Sequence, residues 1–344
     1  MYLLFWIAAF VVSLIILIKA ADFFTESSEK IGLSMKISPF IVGVAIVSIG
    51  TSLPELATSI IAVFNGQTEI VTANAVGSNI ANILLVIGVA SVVAKKMSIK
   101  RSLINLDLPL LATATTILFF VLIDKKVSSV EGFILLLTYG IYFFYIISSS
   151  RERSILNHKE HKLRKDDRRD KEEFAFPPTK ASRNRFLKKL WTYKPKVELG
   201  VFITLFGSAF FIYIGAKYTV ESIINIADSL NIETAVIAMS AVAIGTSLPE
   251  LVVSVRAAMK KKYEIALGNV FGSNIFNALM VVGIPAMISD LNVDDTTFYI
   301  GIPFLIAATI LYIFSGISRK IYNWEGLMYL VLYFLFLIKI FGVV

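Results

Sequence analysis

The chain has no cysteine, two histidines and little charge, with Asp, Glu, Lys and Arg making up only 17% of its 344 residues. Without thiols there is no disulfide framework and no thiolate metal site, while the redox compartment stays open. His158 and His161 both fall in one highly charged stretch, where a solvated role fits them better than a metal site. No apolar segment therefore holds an imidazole or thiol. Nucleophilic catalysis inside these segments would need a positioned base or metal, so enzymatic chemistry is not expected.

What the chain has is apolar length. Hydrophobic residues make up 56% of it and the mean hydropathy is +0.76, well beyond an ordinary soluble domain. At about 20 residues per crossing there is room for roughly ten transmembrane helices. The first run starts at Met1-Tyr2-Leu3 without a positive leader or a small-residue cleavage site, so it reads as a span and not a cleaved signal. The ten expected helices cover 2–24, 38–64, 70–94, 103–123, 130–149, 197–218, 234–259, 264–288, 297–315 and 324–340. Between the fifth and sixth lies 151–196, with 16 Lys and Arg against 7 Asp and Glu. This stretch belongs outside the bilayer, where it sets topology and offers a surface for anionic lipid headgroups.

One phrase recurs. Gly50-Thr51-Ser52-Leu53-Pro54-Glu55 returns as Gly245-Thr246-Ser247-Leu248-Pro249-Glu250, and Gly77-Ser78-Asn79-Ile80-Ala81-Asn82 as Gly272-Ser273-Asn274-Ile275-Phe276-Asn277, each 195 residues on. Residues 43–88 align with 238–283 without a gap, with 22 of 46 positions identical. This is an internal duplication. With five spans in each half, 1–150 and 197–344, the second half enters the membrane from the opposite side, so the halves are inverted repeats. Charge agrees. If 151–196 is cytoplasmic and both termini are outside, the inner loops carry Lys30, Lys36, Lys95, Lys96, Lys100, Arg101, Lys260–Lys262, Arg319 and Lys320. Lys125 and Lys126 are the exception. The expectation is a multi-pass cell-membrane protein whose surroundings are the lipid bilayer, with no nucleic-acid partner.

Glu55 and Glu250 fall near the bilayer midplane, where an unpaired carboxylate costs roughly 2.5 kcal/mol or more. Each follows a proline with no N–H, which frees carbonyls one turn back, near Gly50 and Gly245. Broken helices at this depth are tolerated where they line a polar cavity or hold an ion. The neighbouring polar groups, Thr51, Ser52, Ser78, Asn79, Asn82 and their copies, are all oxygen donors. Ser78 and Asn82 share a helical face, as do Ser273 and Asn277. Two carboxylates with neutral oxygens suit Ca²⁺, which takes six to eight oxygens, and Na⁺ could use the same groups. Metals that favour imidazole or thiolate find no partner. Gly77 and Gly272 read as close-packing positions. Glu26 and Glu221 read as solvated or capping residues near helix ends. Lys19, Asp22 and Lys217 are expected to reach toward the interface.

These two repeated phrases around a basic loop resemble the cation/Ca²⁺ exchanger superfamily, in particular its prokaryotic Na⁺/Ca²⁺ exchangers. The resemblance covers nearly the whole chain outside 151–196. It implies antiport of Ca²⁺ against Na⁺ by alternating access, with helices 2, 3, 7 and 8 forming the ion sites and helices 1 and 6 sliding across them. No cofactor is implied beyond the transported ions. It further implies Glu55 and Glu250 as shared carboxylate ligands, Thr51, Ser52, Thr246, Ser247, Ser78 and Ser273 as flanking oxygens, the carbonyls of Ser48 and Ala243 as backbone ligands, and Asn82 and Asn277 as the remaining pair. Some prokaryotic relatives carry Asp at the position of Asn277. That departure leaves the number of titratable groups open and the two-glutamate core intact. A proton-coupled Ca²⁺ exchanger is the alternative, since carboxylates carry H⁺ as well as Na⁺.

Overall fold

Inside a bilayer every backbone N–H and C=O must find a partner within the protein, so apolar runs of this length fold as helices. The computed structural model describes residues 2–34, 48–98, 101–146 and 198–342, and these are almost wholly helical. The start of the expected second helix and all of 151–196, with both histidines, lie outside the described residues.

The order is α1 (Tyr2–Ser34), α2a (Ser48–Thr51), α2b (Leu53–Phe64), α3 (Thr68–Ala94), α4 (Arg101–Leu122), α5 (Ser129–Ile146), α6 (Leu199–Leu230), α7a (Thr234–Thr246), α7b (Leu248–Met259), α8 (263–288), α9 (Thr297–Ile317) and α10 (Asn323–Ile340). Among the described residues seven helices are long and apolar enough to cross a membrane, or eight if α7a and α7b, bent by 41°, form one span. Leu53–Phe64 and Leu108–Leu122 are shorter apolar helices. Alpha-helical turns widen to π geometry at Ala81–Val86 in α3, Ala238–Val242 in α7a, Asn277–Val281 in α8 and Thr297–Gly301 in α9.

Two helices overrun their expected ends. α1 continues past Phe24 to Ser34, and α6 past Tyr218 to Leu230. Charge alone does not stop a helix when it can pair along one face. Lys19 lies 3.8 Å from Asp22, Lys30 2.8 Å from Glu26 and Lys217 3.9 Å from Glu221. Glu26 and Glu221 therefore sit within helices and not near their ends, which corrects the sequence expectation.

Four short strands tie the halves together. β1 (Lys96–Ser98) pairs antiparallel with β4 (Lys320–Tyr322), and β2 (Lys126–Val127) with β3 (Leu291–Asn292). Adding 195 to the numbers of β1 gives 291–293, and to those of β2 gives 321–322, so β3 is the copy of β1 and β4 the copy of β2. Each half thus supplies one strand to each sheet, and the halves interlock. The same contact disposes of the two exceptional lysines. Lys125 Nζ meets Asp295 at 2.6 Å and Lys126 Nζ meets Asp290 at 2.9 Å, both acids coming from the other half.

α3 and α8 are buried along most of their length, whereas α1, α5, α6 and α10 leave most of theirs exposed. The exposed residues include Phe5, Phe206, Phe334 and Trp324, an apolar perimeter of the kind that lipid covers. α1 packs along α6, where Leu17 approaches Gly215 so closely that a Cβ there would lie 2.8 Å from the Leu17 backbone. Ser13 and Thr219 join the two helices by a 3.0 Å hydrogen bond.

Candidate ion-binding site

The site is built by helix breaks. Ser52 ends α2a and caps α2b, whose first turn holds Pro54 and Glu55; Ser247 does the same for α7b with Pro249 and Glu250. Proline fits the first turn of a helix because that N–H would have no partner anyway. Each break therefore places a glutamate one turn beyond a serine at the centre of the protein. Glu55 and Glu250 are both fully buried and lie within electrostatic reach of each other.

The two acids have different surroundings. Ser52 Oγ and Ser273 Oγ each donate to Glu250 Oε1 at 3.1 Å, one from each repeat. Thr51 also faces Glu250. Its hydroxyl lies 3.3 Å from Ser273 Oγ, donates to the Ser48 carbonyl at 3.2 Å and points to Asn269 Oδ1 at 3.4 Å. Glu55 faces Thr246 and Ser247, but neither of its carboxylate oxygens has a hydrogen-bond partner among the described residues. Thr246 Oγ1 donates instead to Val242 O at 3.0 Å. The Ser48 and Ala243 carbonyls accept the Ser52 and Ser247 amides at 3.2 Å and 3.1 Å, and the Ser48 oxygen also takes the Thr51 hydroxyl at 3.2 Å and that of Ser273 at 3.5 Å.

Asn82 and Asn277 are buried at the start of the π turns of α3 and α8, and neither amide has a hydrogen-bond partner among the described residues. A π turn at a functional position is a frequent association. Ser78 is also buried, but it turns toward Asn74 Oδ1 at 3.5 Å and not toward a glutamate. All twelve sequence candidates are buried: Glu250, Ser52, Ser273, Thr51 and the Ser48 carbonyl are in direct contact, Thr246 and Ser247 face Glu55 with the Ala243 carbonyl one turn back, and Ser78, Asn82 and Asn277 lie on α3 and α8.

Sequence reasoning missed Asn74 and Asn269. Asn269 accepts from Thr51, donates to Ser254 Oγ at 3.3 Å, and Ser254 donates to Ala266 O at 3.2 Å. Asn74 and Ser59 are the copies of Asn269 and Ser254 at the 195-residue spacing. Both pairs are among the identical aligned positions, and that was the available signal.

An oxygen cage of this kind can hold a hard cation. The hydroxyls of Ser52 and Ser273 donate to Glu250; a cation bound there would replace those protons as the carboxylate's partner and take the hydroxyl oxygens as ligands. Among the described residues no group of three His, Cys, Asp or Glu could hold a metal, so the cage rests on two acids and neutral oxygens.

The cage is approached at Thr51 by an open cavity. A cavity of about 370 Å³ is lined by Asp22, Thr25 and Glu26 of α1, Thr51 of α2a, and Pro249 and Arg256 of α7b. By the duplication, the opposite entrance lies between α6 and α2b. There α6 lies along α2b, whereas α1 barely meets α7b.

A buried two-acid cage at paired helix breaks, approached by a cavity at Thr51 and wrapped in apolar helices, defines a multi-pass membrane transporter of cations. The matched family model is "Sodium/calcium exchanger protein", over residues 5–148 and 200–342. The chain belongs to the sodium/calcium exchanger family, whose members are transporters and not enzymes. It is 33% identical to sodium/calcium exchanger MaX1 of Methanosarcina acetivorans, covering 95% of this chain and 96% of that one. It is 28% identical to inner membrane protein YrbG of Escherichia coli, covering 85% and 82%. The solved structure of sodium-calcium exchanger NCX_Mj soaked with 100 mM Na⁺ and 10 mM Sr²⁺ superposes with a TM-score of 0.62 at 26% identity, covering 97% of each chain.

Proposed function

We propose that the chain exchanges Ca²⁺ for Na⁺ by alternating access, as ten spans in two inverted repeats, 1–150 and 197–344, with α-repeats 43–88 and 238–283. Glu55 and Glu250 carry the ions, aided by oxygens of Thr51, Ser52, Ser78, Asn82, Thr246, Ser247, Ser273 and Asn277 and the carbonyls of Ser48 and Ala243. The termini face outward and 151–196 faces the cytoplasm.

The observation that supports this reading is Glu250 Oε1, which takes hydroxyls from both repeats beside a second buried acid with no hydrogen-bond partner among the described residues. One such cage cannot hold Ca²⁺ and a full set of Na⁺ together, because like charges would share ligands, and exchange follows from that exclusion. An empty cage disfavours switching sides, since two bare carboxylates would cross a dry region.

The test is Ca²⁺ uptake by vesicles of purified protein under Na⁺, K⁺ and H⁺ gradients imposed separately. Uptake should follow the Na⁺ gradient and disappear in Glu55→Gln and Glu250→Gln. Uptake driven by H⁺ without Na⁺ would establish the proton-coupled alternative, and near-normal uptake by either variant would remove the cage from consideration.

A further inference from the structure

The two entrances are copies of each other in position but not in charge. On the open side α1 presents Asp22 and Glu26, and α7b presents Arg256 across the cavity. On the other side the copied positions are Lys217 and Glu221 on α6 and Ile61 on α2b. Lys217 and Glu221 lie 3.9 Å apart on their own helix, and Ile61 is buried. The closed entrance therefore needs no charge from its core-side helix, and the open one has it.

In the open arrangement Asp22 and Glu26 are exposed and paired with Lys19 and Lys30 of their own helix. Arg256 has no ion-pair partner among the described residues. If α1 closes against α7b as α6 already does against α2b, both carboxylates come against the face of Pro249, Val253 and Arg256, which repeats at helical spacing. Burying an acid beside Pro249 and Val253 alone would oppose closure, because an unpaired buried charge is strongly unfavourable. A guanidinium can take carboxylates through several N–H donors at once.

We propose that Arg256 is the positioning residue that closes this entrance: its guanidinium takes Asp22 and Glu26 as α1 moves onto α7b and releases them to the entering cation when the entrance opens. This rests on the alternating-access reading above, and it makes the two gates unlike, one closed by an ion pair and the other by apolar contact. A positive charge in the open mouth also repels a divalent ion more than a monovalent one, so the two acids opposite Arg256 offset a barrier that would fall mainly on Ca²⁺.

The absence of native cysteine gives a direct test. Val253, which lines the same cavity, is replaced by Cys, and its labelling by a neutral, water-soluble maleimide is timed in vesicles with equal Na⁺ and Ca²⁺ on both sides, so that the loaded protein can switch without net flux. Arg256→Gln should hold the entrance open and speed labelling about tenfold, the size of shift expected when one state loses a buried pair. Loss of a nearby cation by itself would slow labelling, by leaving less thiolate, so an increase reports opening. Adding Asp22→Asn and Glu26→Gln should bring labelling back toward the parent rate, and Arg256→Lys should fall between. Labelling unchanged in Arg256→Gln, or not restored in the triple variant, overturns the proposal. Because labelling needs no net transport, this outcome is separate from the vesicle uptake that judges the exchange reading.

Discussion

Ser52 and Glu250 stand 198 residues apart in the chain and are joined by a 3.1 Å hydrogen bond at the centre of the protein. A hydroxyl at the break of one repeat is thus spent on the acid of the other. Ser52→Ala removes a donor from the empty cage and an oxygen from the loaded one. We expect apparent Ca²⁺ affinity to fall about tenfold, ~1.4 kcal/mol, measured as the Ca²⁺ dependence of vesicle uptake. Ser52→Ala and Ser273→Ala act on the same Oε1 and should be non-additive in a double-mutant cycle. Strict additivity would show that they do not share Glu250.

Gly77 is placed by contact with the other repeat. A Cβ there would lie 2.6 Å from the Met239 carbonyl oxygen and 2.8 Å from its Cα, and backbone cannot turn aside as a side-chain tip can. Gly77→Ala should therefore destabilise by about 1–3 kcal/mol, seen as a lower Tm in detergent. Gly140→Ala, with nothing within 4 Å, should leave Tm unchanged or slightly raised. Equal Tm values for the two variants would contradict this packing.

The duplicated phrases exposed the acids, the breaks and the small-residue contact in the sequence because each needs a rare residue in an apolar run. Pro54 and Glu55 cannot be explained there as core, and their recurrence at Pro249 and Glu250 removed chance. Other features were hidden for physical reasons. The overrun of α1 and α6 depends on pairs such as Lys30 with Glu26, which look like loop charges until they are set on a helix. The strand exchange rests on two or three residues per strand, too few for a period-two pattern. The difference between Glu250, doubly hydrogen-bonded, and Glu55, without a hydrogen-bond partner among the described residues, cannot be read from identical phrases. Asn74 and Asn269 were visible as repeated amides but had no role until Thr51 was seen pointing at one of them.

That contact makes the two asparagines unequal. Asn269→Ala removes the acceptor at Thr51 and the donor to Ser254 Oγ, while Thr51 keeps the Ser48 carbonyl and Ser254 keeps the Ala266 carbonyl, so the cost is that of the lost hydrogen bonds, about 0.5–1.5 kcal/mol each. Asn74 already has an unpartnered Nδ2 and meets only Ser78 at 3.5 Å, so Asn74→Ala should cost less. Denaturation in detergent without Ca²⁺ should rank Asn269→Ala below Asn74→Ala, which in turn falls below the parent. The reverse order would mean that the described conformation is not the one populated without ions.

The interlocking of the halves can be tested through pH at Lys125. Its ammonium is hydrogen-bonded to Asp295 at 2.6 Å and rests over the rings of Tyr299 and Phe298, at 4.4 Å and 4.9 Å. The Asp295 hydrogen bond holds its pKa above the ordinary lysine value of 10.5. A raised pKa in the folded state means that the stabilisation is fully present below pH 10.5 and is lost as pH climbs through the folded-state value. Asp295→Asn should therefore melt slightly lower than the parent at pH 8, and the two should converge above pH 10.5. The difference should be small, since exposed pairs contribute little, and should shrink further in high salt. A gap that stays constant from pH 8 to well above 10.5 would assign Asp295 a role other than holding the charge of Lys125.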